Sequence, residues 1–129
     1  MKVLLDTHTL LWALSQPDRL GDDALVVISA AATELAVSAA TAWELSTASR
    51  LGKLPGAVAI LGTYHRHVAR LGATELPITA EQALLAGSLD WGHRDPFDRM
   101  LAAQALIEGL PLVTRDPAFA TLDGIRLVW

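Results

Sequence analysis

Short apolar runs alternate with helical stretches along this chain, and that alternation restricts the fold more than any other feature. Lys2–Leu5, Leu35–Val37 and Leu112–Thr114 are strand-length, rich in Val and Leu, and carry no polar alternation. A strand with one wet face would alternate, so these read as strands covered on both faces. Thr74–Pro77 reads as extended, and Arg126–Val128 as a last, edge-like strand. Between them the spacing predicts helices: a first to about Leu14 that stops at Gln16-Pro17, then Asp22–Ala32, Thr41–Leu51 and Ala57–Leu71. Two more run from a Thr79 cap to about Ser88 and over Asp95–Glu108. Within Ala57–Leu71, the residues Ala57, Ile60, Leu61, Tyr64, Val68 and Leu71 fall on one helical face. The expected class is α/β, a three-layer sandwich with a central, mainly parallel sheet flanked by helices. A length of 129 residues predicts one domain, residues 1–129, with enough apolar content to bury a core.

In such sheets, sites form outside the carboxyl ends of the strands. Asp6 directly follows the first strand, and Asp116 lies just beyond Thr114. Glu44 in SAATAWELS and Asp98 in HRDPFDRMLAAQA are further acids in apolar or tightly turned settings. Carboxylates distant in sequence that converge in space make an oxygen-lined site for a hard divalent cation, which suits phosphodiester hydrolysis. Each acid also has a structural reading. Asp6 fits the N-cap of the first helix, and Asp116 fits a turn before Pro117. Glu44 shares the inward side of its helix with Thr41, Ala48 and Leu51, where an unpaired carboxylate is costly. Asp95 before Pro96 fits an N-cap with proline at the first helical position. Asp98 then points along a stripe of Ala102, Ala105 and Gly109, small residues that let the helix approach the sheet. Asp98 is therefore the ligand candidate of that pair, with Asp95 secondary.

Arg94, Arg99 and Arg115 flank the acids and are candidates for phosphate contacts. His8 and His93 also lie near the acids, as substrate contacts or as solvated loop histidines. His65 and His67 stand two apart on a helix and cannot share a face, which argues against a zinc pair. Arg66 and Arg70, with Thr63, read as the polar back of their helix, with an RNA contact as the alternative.

Composition removes other chemistries. The chain has no cysteine, so disulfides, zinc–thiolate sites and cysteine nucleophiles are excluded. No serine–histidine constellation or phosphate-loop glycine pattern is present. Ten Lys plus Arg against fourteen Asp plus Glu give a net charge of −4, with no basic tail. That balance argues against a protein that coats nucleic acid, but bound cations would add positive charge where a phosphate sits. The start MKVLL resembles the opening of a signal peptide until Asp6 interrupts it, and no run approaches a membrane span. The expected location is cytoplasmic.

The ordered set LLDTHTLLW, TAWELS, HRDPFDRMLAAQA and LPLVTRD closely resembles PIN-domain proteins, and among them the VapC-type toxin ribonucleases of bacterial type II toxin–antitoxin pairs. The resemblance covers essentially the entire chain. It implies a PIN-like parallel sheet with flanking helices, an acidic pocket holding magnesium or manganese, and endonucleolytic cleavage of RNA. It also implies a homodimer and silencing by a small antitoxin protein. By motif, Asp6 and Asp98 would be the principal metal ligands, with Glu44 and Asp116 completing the pocket. Asp116 stands where the family also tolerates asparagine. Thr7 and Thr114 match as orienting hydroxyls. A haloacid-dehalogenase-like phosphatase is one alternative, although that class resembles D-x-D-x-T and His8 stands where its second aspartate belongs. A non-catalytic binding module is the other, and it has no need of Glu44 on an inward face. Leu10, Leu11, Trp12, Leu54, Ile60 and Leu61 are expected to form an apolar groove for an amphipathic antitoxin helix.

Overall fold

The computed structural model describes residues 1–129. Its strands are β1 (Lys2–Leu5), β2 (Glu34–Ser38), β3 (Ala73–Leu76), β4 (Leu112–Val113) and β5 (Leu127–Val128). They form one sheet in the order β3-β2-β1-β4-β5, with every neighbouring pair parallel. Val3 pairs with Leu35, and Leu5 is flanked by Val37 and Val113. The helices are α1 (Thr7–Ser15), α2 (Asp22–Ser29), α3 (Ala39–Arg50), α4 (Pro55–Leu61), α5 (Tyr64–Arg70), α6 (Ala80–Ser88) and α7 (Pro96–Glu108). Short 3-10 turns cover Pro17–Arg19 and Pro117–Thr121.

The pleat sends successive side chains to opposite faces, and here both faces are buried. Val3, Leu5, Leu35, Val37 and Val113 pack with Leu10, Ala24, Ala57, Ile60, Tyr64 and Val68. Leu4, Ala36 and Leu112 meet Leu101, Ala102 and Ala105 of α7, together with Phe119. Burial on both sides is why the central strands read as unbroken apolar runs. On α7 the alanines keep the helix close to the sheet, and α6 is tied to it through Gln104 Nε2 donating to Gln82 Oε1 at 3.0 Å.

Several boundaries differ from the expected ones. The helix expected over Ala57–Leu71 is broken into α4 and α5 at Gly62-Thr63. Glycine is a poor helix residue and Thr63 leaves the helical basin at φ −133°. The apolar face survives because Ala57, Ile60, Tyr64 and Val68 still reach one core. Helix α3 starts earlier than expected, at Ala39, because the Ser38 hydroxyl caps it by accepting from Ala40 N at 3.0 Å. Helix α2 stops at Ser29 rather than Ala32.

The expected antitoxin groove is corrected in part. Leu10 is fully buried and Ile60 is 8 % exposed, both inside the core, and Leu61 packs against it. Helices α1 and α4 turn Leu10 and Ile60 toward the sheet, so these two offer no free surface, while Leu61 is half-buried. Leu11, Trp12 and Leu54 remain half-buried and line a surface cavity. No helix is long and apolar enough to cross a membrane.

Candidate active site

A cavity of about 460 Å³ opens at the carboxyl ends of β1, β2 and β4, lined by Asp6, Glu44, Asp95, Asp98 and Asp116. Thr7, His8, Trp12, Arg115 and Pro117 complete its wall. The acids arrive from four separate parts of the chain, which the parallel sheet delivers to one edge.

Asp6 directly follows β1 and caps α1, so its structural reading and its place in the cavity coexist. One carboxylate oxygen accepts from Thr9 N at 2.8 Å, and the other accepts a short hydrogen bond from the Thr114 hydroxyl. Thr114 follows β4, and its oxygen in turn accepts from Asp116 N at 3.0 Å. Thr9 anchors the same corner by donating to the Val113 carbonyl at 2.9 Å. Glu44 projects from α3 and accepts a short hydrogen bond from the Thr7 hydroxyl, with Thr41 Oγ1 3.5 Å from Thr7. Each of the two threonines expected to orient the site thus holds one carboxylate.

Asp95 caps α7, accepting from Phe97 N at 2.8 Å and Asp98 N at 3.0 Å through the same oxygen. Asp98 sits one turn inside, where its Oδ2 meets His93 Nε2 at 2.7 Å. Sequence reasoning missed that pair: His93 is one of two loop histidines near the acids, and nothing in its local residues marks it as Asp98's partner. Asp116 is exposed and caps the following 3-10 turn by accepting from Ala118 N at 2.9 Å.

Arg99 corrects an expectation. Its guanidinium does not line the cavity. It donates to the carbonyls of Ala86, Leu89, Trp91 and His93 at 2.7–2.9 Å, fixing the loop that presents His93. A planar fork with five donors suits that task, and little of it is left for a phosphate. Arg115 does line the cavity, whereas Arg94 is exposed outside its wall.

Crowding shows in the proton affinities. Burial pushes Glu44 up to about 7, opposed by the Thr7 hydrogen bond and reinforced by the charges of Asp98, Asp95 and Asp6. Burial likewise raises Asp98, against the His93 hydrogen bond. Both shifts mark carboxylates whose negative charge is under-compensated by the protein alone.

No three acidic or histidine side chains enclose a single ion in this arrangement. Each carboxylate is drawn to a donor of its own, so the site is a loose ring and not a closed cage. A carboxylate set of that kind, with oxygen donors only, fits a hard cation that keeps several waters and takes only one or two carboxylates, as magnesium does.

Residues 3–125 match the PIN domain family model. The chain is 35% identical over 117 residues to Ribonuclease VapC22 of Mycobacterium tuberculosis, covering 88% of this chain and 86% of that protein. Its fold is similar to VapBC2 from Rickettsia felis bound to a DNA fragment from their promoter, with TM-score 0.68 and 16% identity over 98% of this chain and 97% of that one. DNA-bound VapBC from Salmonella typhimurium gives TM-score 0.69 and 21% identity over 98% and 96% of the two chains. On this sequence match, the chain belongs to the PIN domain family.

Proposed function

We propose that this protein is a divalent-metal-dependent endoribonuclease of the VapC type, the toxin of a toxin–antitoxin pair acting in the cytoplasm. The observation that supports this most is the convergence of five carboxylates on one cavity, in a chain 35% identical to a ribonuclease. Identity to a ribonuclease supports RNA as substrate, similarity to toxin–antitoxin complexes supports a cognate antitoxin as partner, and we extend the reading to a homodimer.

Asp6 and Asp98 would hold magnesium or manganese as principal ligands, with Glu44 and Asp116 as secondary ones. When bound, that ion supplies the positive charge and Lewis acidity that phosphodiester hydrolysis requires. The chain's own residues then orient the site. Thr114 fixes the rotamer of Asp6, Thr7 that of Glu44 and His93 that of Asp98, so each carboxylate keeps oxygen lone pairs for the cavity. Arg115 at the rim offers a guanidinium to the phosphate of the incoming strand.

The test is cleavage of structured RNA by purified protein with magnesium or manganese, repeated with chelator. Cleavage that stops in chelator and returns with metal is expected. Undiminished cleavage in chelator, by a preparation free of contaminating nuclease, would overturn the reading.

A further inference from the structure

Beside the acidic cavity lies a second one of about 330 Å³, and His8 and Trp12 line both. The two cavities are therefore neighbours that share one aromatic wall. Two cations converge on that wall: the Arg19 guanidinium lies 4.8 Å from the Trp12 ring centroid and that of Arg115 lies 6.0 Å away. Neither forms an ion pair within 4 Å of an acidic side chain. The ion pairs of the chain are His65–Glu75 and His93–Asp98, and the one side-chain partner of Arg19 is the neutral Gln16 amide at 3.2 Å. Arg115 lines the acidic cavity and Arg19 the second one, so an anion held by Arg19 in the second cavity would stand one aromatic wall away from the acids.

Leu54 adds an apolar patch to the second cavity, and it is the single non-glycine residue with positive φ, at 50°. The cavity thus combines an aromatic surface, an aliphatic contact and cations. Single-stranded RNA is bound through those features, by base stacking on aromatic rings and phosphate contacts to arginine. The volume falls in the range of small-molecule sites, roughly 300–1,000 Å³.

We propose that the second cavity is a nucleotide subsite for single-stranded RNA. Arg19 holds the phosphate next to the scissile one, which Arg115 meets from the acidic cavity, and the attached nucleoside lies against Trp12, His8 and Leu54. This rests on the ribonuclease reading and extends it by naming where the strand continues beyond the acids.

The experiment measures binding of a fluorescent hexaribonucleotide with magnesium in an Asp98→Asn background, at several salt concentrations. Arg19 is exposed, and a Cβ added at Gly56, on the cavity wall, meets nothing within 4 Å, so Arg19→Gln and Gly56→Phe are the variants, each checked for an unchanged thermal unfolding midpoint. Arg19→Gln is expected to weaken binding about three- to tenfold and to reduce the slope of log affinity against log salt by about 0.7, one phosphate contact on a single strand. Gly56→Phe, which narrows the cavity without touching charge, is expected to weaken binding while keeping the slope. Unchanged affinity and slope in both variants would overturn the subsite. So would variants that bind RNA normally but escape neutralisation by a co-expressed partner protein, which would assign the cavity to that partner. Either result leaves the ribonuclease reading standing if the unsubstituted protein cleaves. Absence of both cleavage by the unsubstituted protein and binding by Asp98→Asn would instead remove the ribonuclease reading itself.

Discussion

Asp95 and Asp98 stand three residues apart at the start of one helix, yet their hydrogen bonds separate them. Both backbone N–H groups capped by Asp95 bond to one oxygen, a role that asparagine fills as well. Asp98 has no backbone partner; its bond is to His93, and its environment raises its proton affinity through burial. Asp98→Asn and Asp6→Asn are therefore expected to lower RNA cleavage by about a hundredfold or more, since neutral amides are poor ligands for a hard cation. Their folds should be intact or slightly more stable without metal, because one charge has left a crowded pocket. Asp95→Asn is expected to cost less than about tenfold. Cleavage rates paired with thermal unfolding in chelator check the ranking, and equal loss from Asp95→Asn and Asp98→Asn would show that the roles are shared.

At the scale of elements, α7 does two things for the site: its N-terminus presents Asp98 and its first turn anchors the loop before it. Arg99 carries the second task through four carbonyls spread over Ala86 to His93. Lysine has a single ammonium without the planar fork and cannot satisfy that set. Arg99→Lys is expected to destabilise the protein by about 2–4 kcal/mol in urea unfolding, the range for losing several charge-assisted bonds to partly buried carbonyls. Cleavage should fall with it as His93 loses its position; unchanged stability would mean that the loop holds itself. This contact was not legible in the sequence, where Arg99 reads as one of several arginines near acids. The central strands β1, β2 and β4 were legible, because burial on both faces leaves an apolar run that needs no partner to be recognised. The caps of Asp95 and Thr79 were legible for a similar reason, since each satisfies N–H groups within a few residues. What sequence could not display were pairings set by tertiary approach. Thr114 meets Asp6 across 108 positions and Thr7 meets Glu44 across 37, so no local pattern joins them. The break between α4 and α5 escaped for the opposite reason: one apolar face runs through both helices and hides the Gly62-Thr63 interruption.

At the scale of the whole molecule, the acidic cavity couples folding, pH and metal. Glu44 has a folded-state pKa near 7 against 4.5 as an ordinary side chain, so between those values the folded protein binds more protons than the unfolded one. Stability contributed by the protonated group is complete below about 4.5 and is lost as pH rises through about 7. Asp98 shifts in the same direction and adds to the trend. Because solvent reaches the half-buried Glu44, the screened effect is on the order of 1–2 kcal/mol. In chelator, stability from this site should therefore decline between pH 5 and 8, and Glu44→Gln should flatten the decline. Metal reverses the sign, because ligation needs ionised carboxylates and binding to the folded state alone stabilises it. With manganese at a hundred times its dissociation constant the gain is about 2.7 kcal/mol, and it should be larger at pH 8 than at pH 6. Thermal unfolding across that range, with and without manganese, checks both slopes at once. A manganese shift independent of pH, or one retained in full by the Asp6→Asn, Asp98→Asn double variant, would place the ion away from these carboxylates.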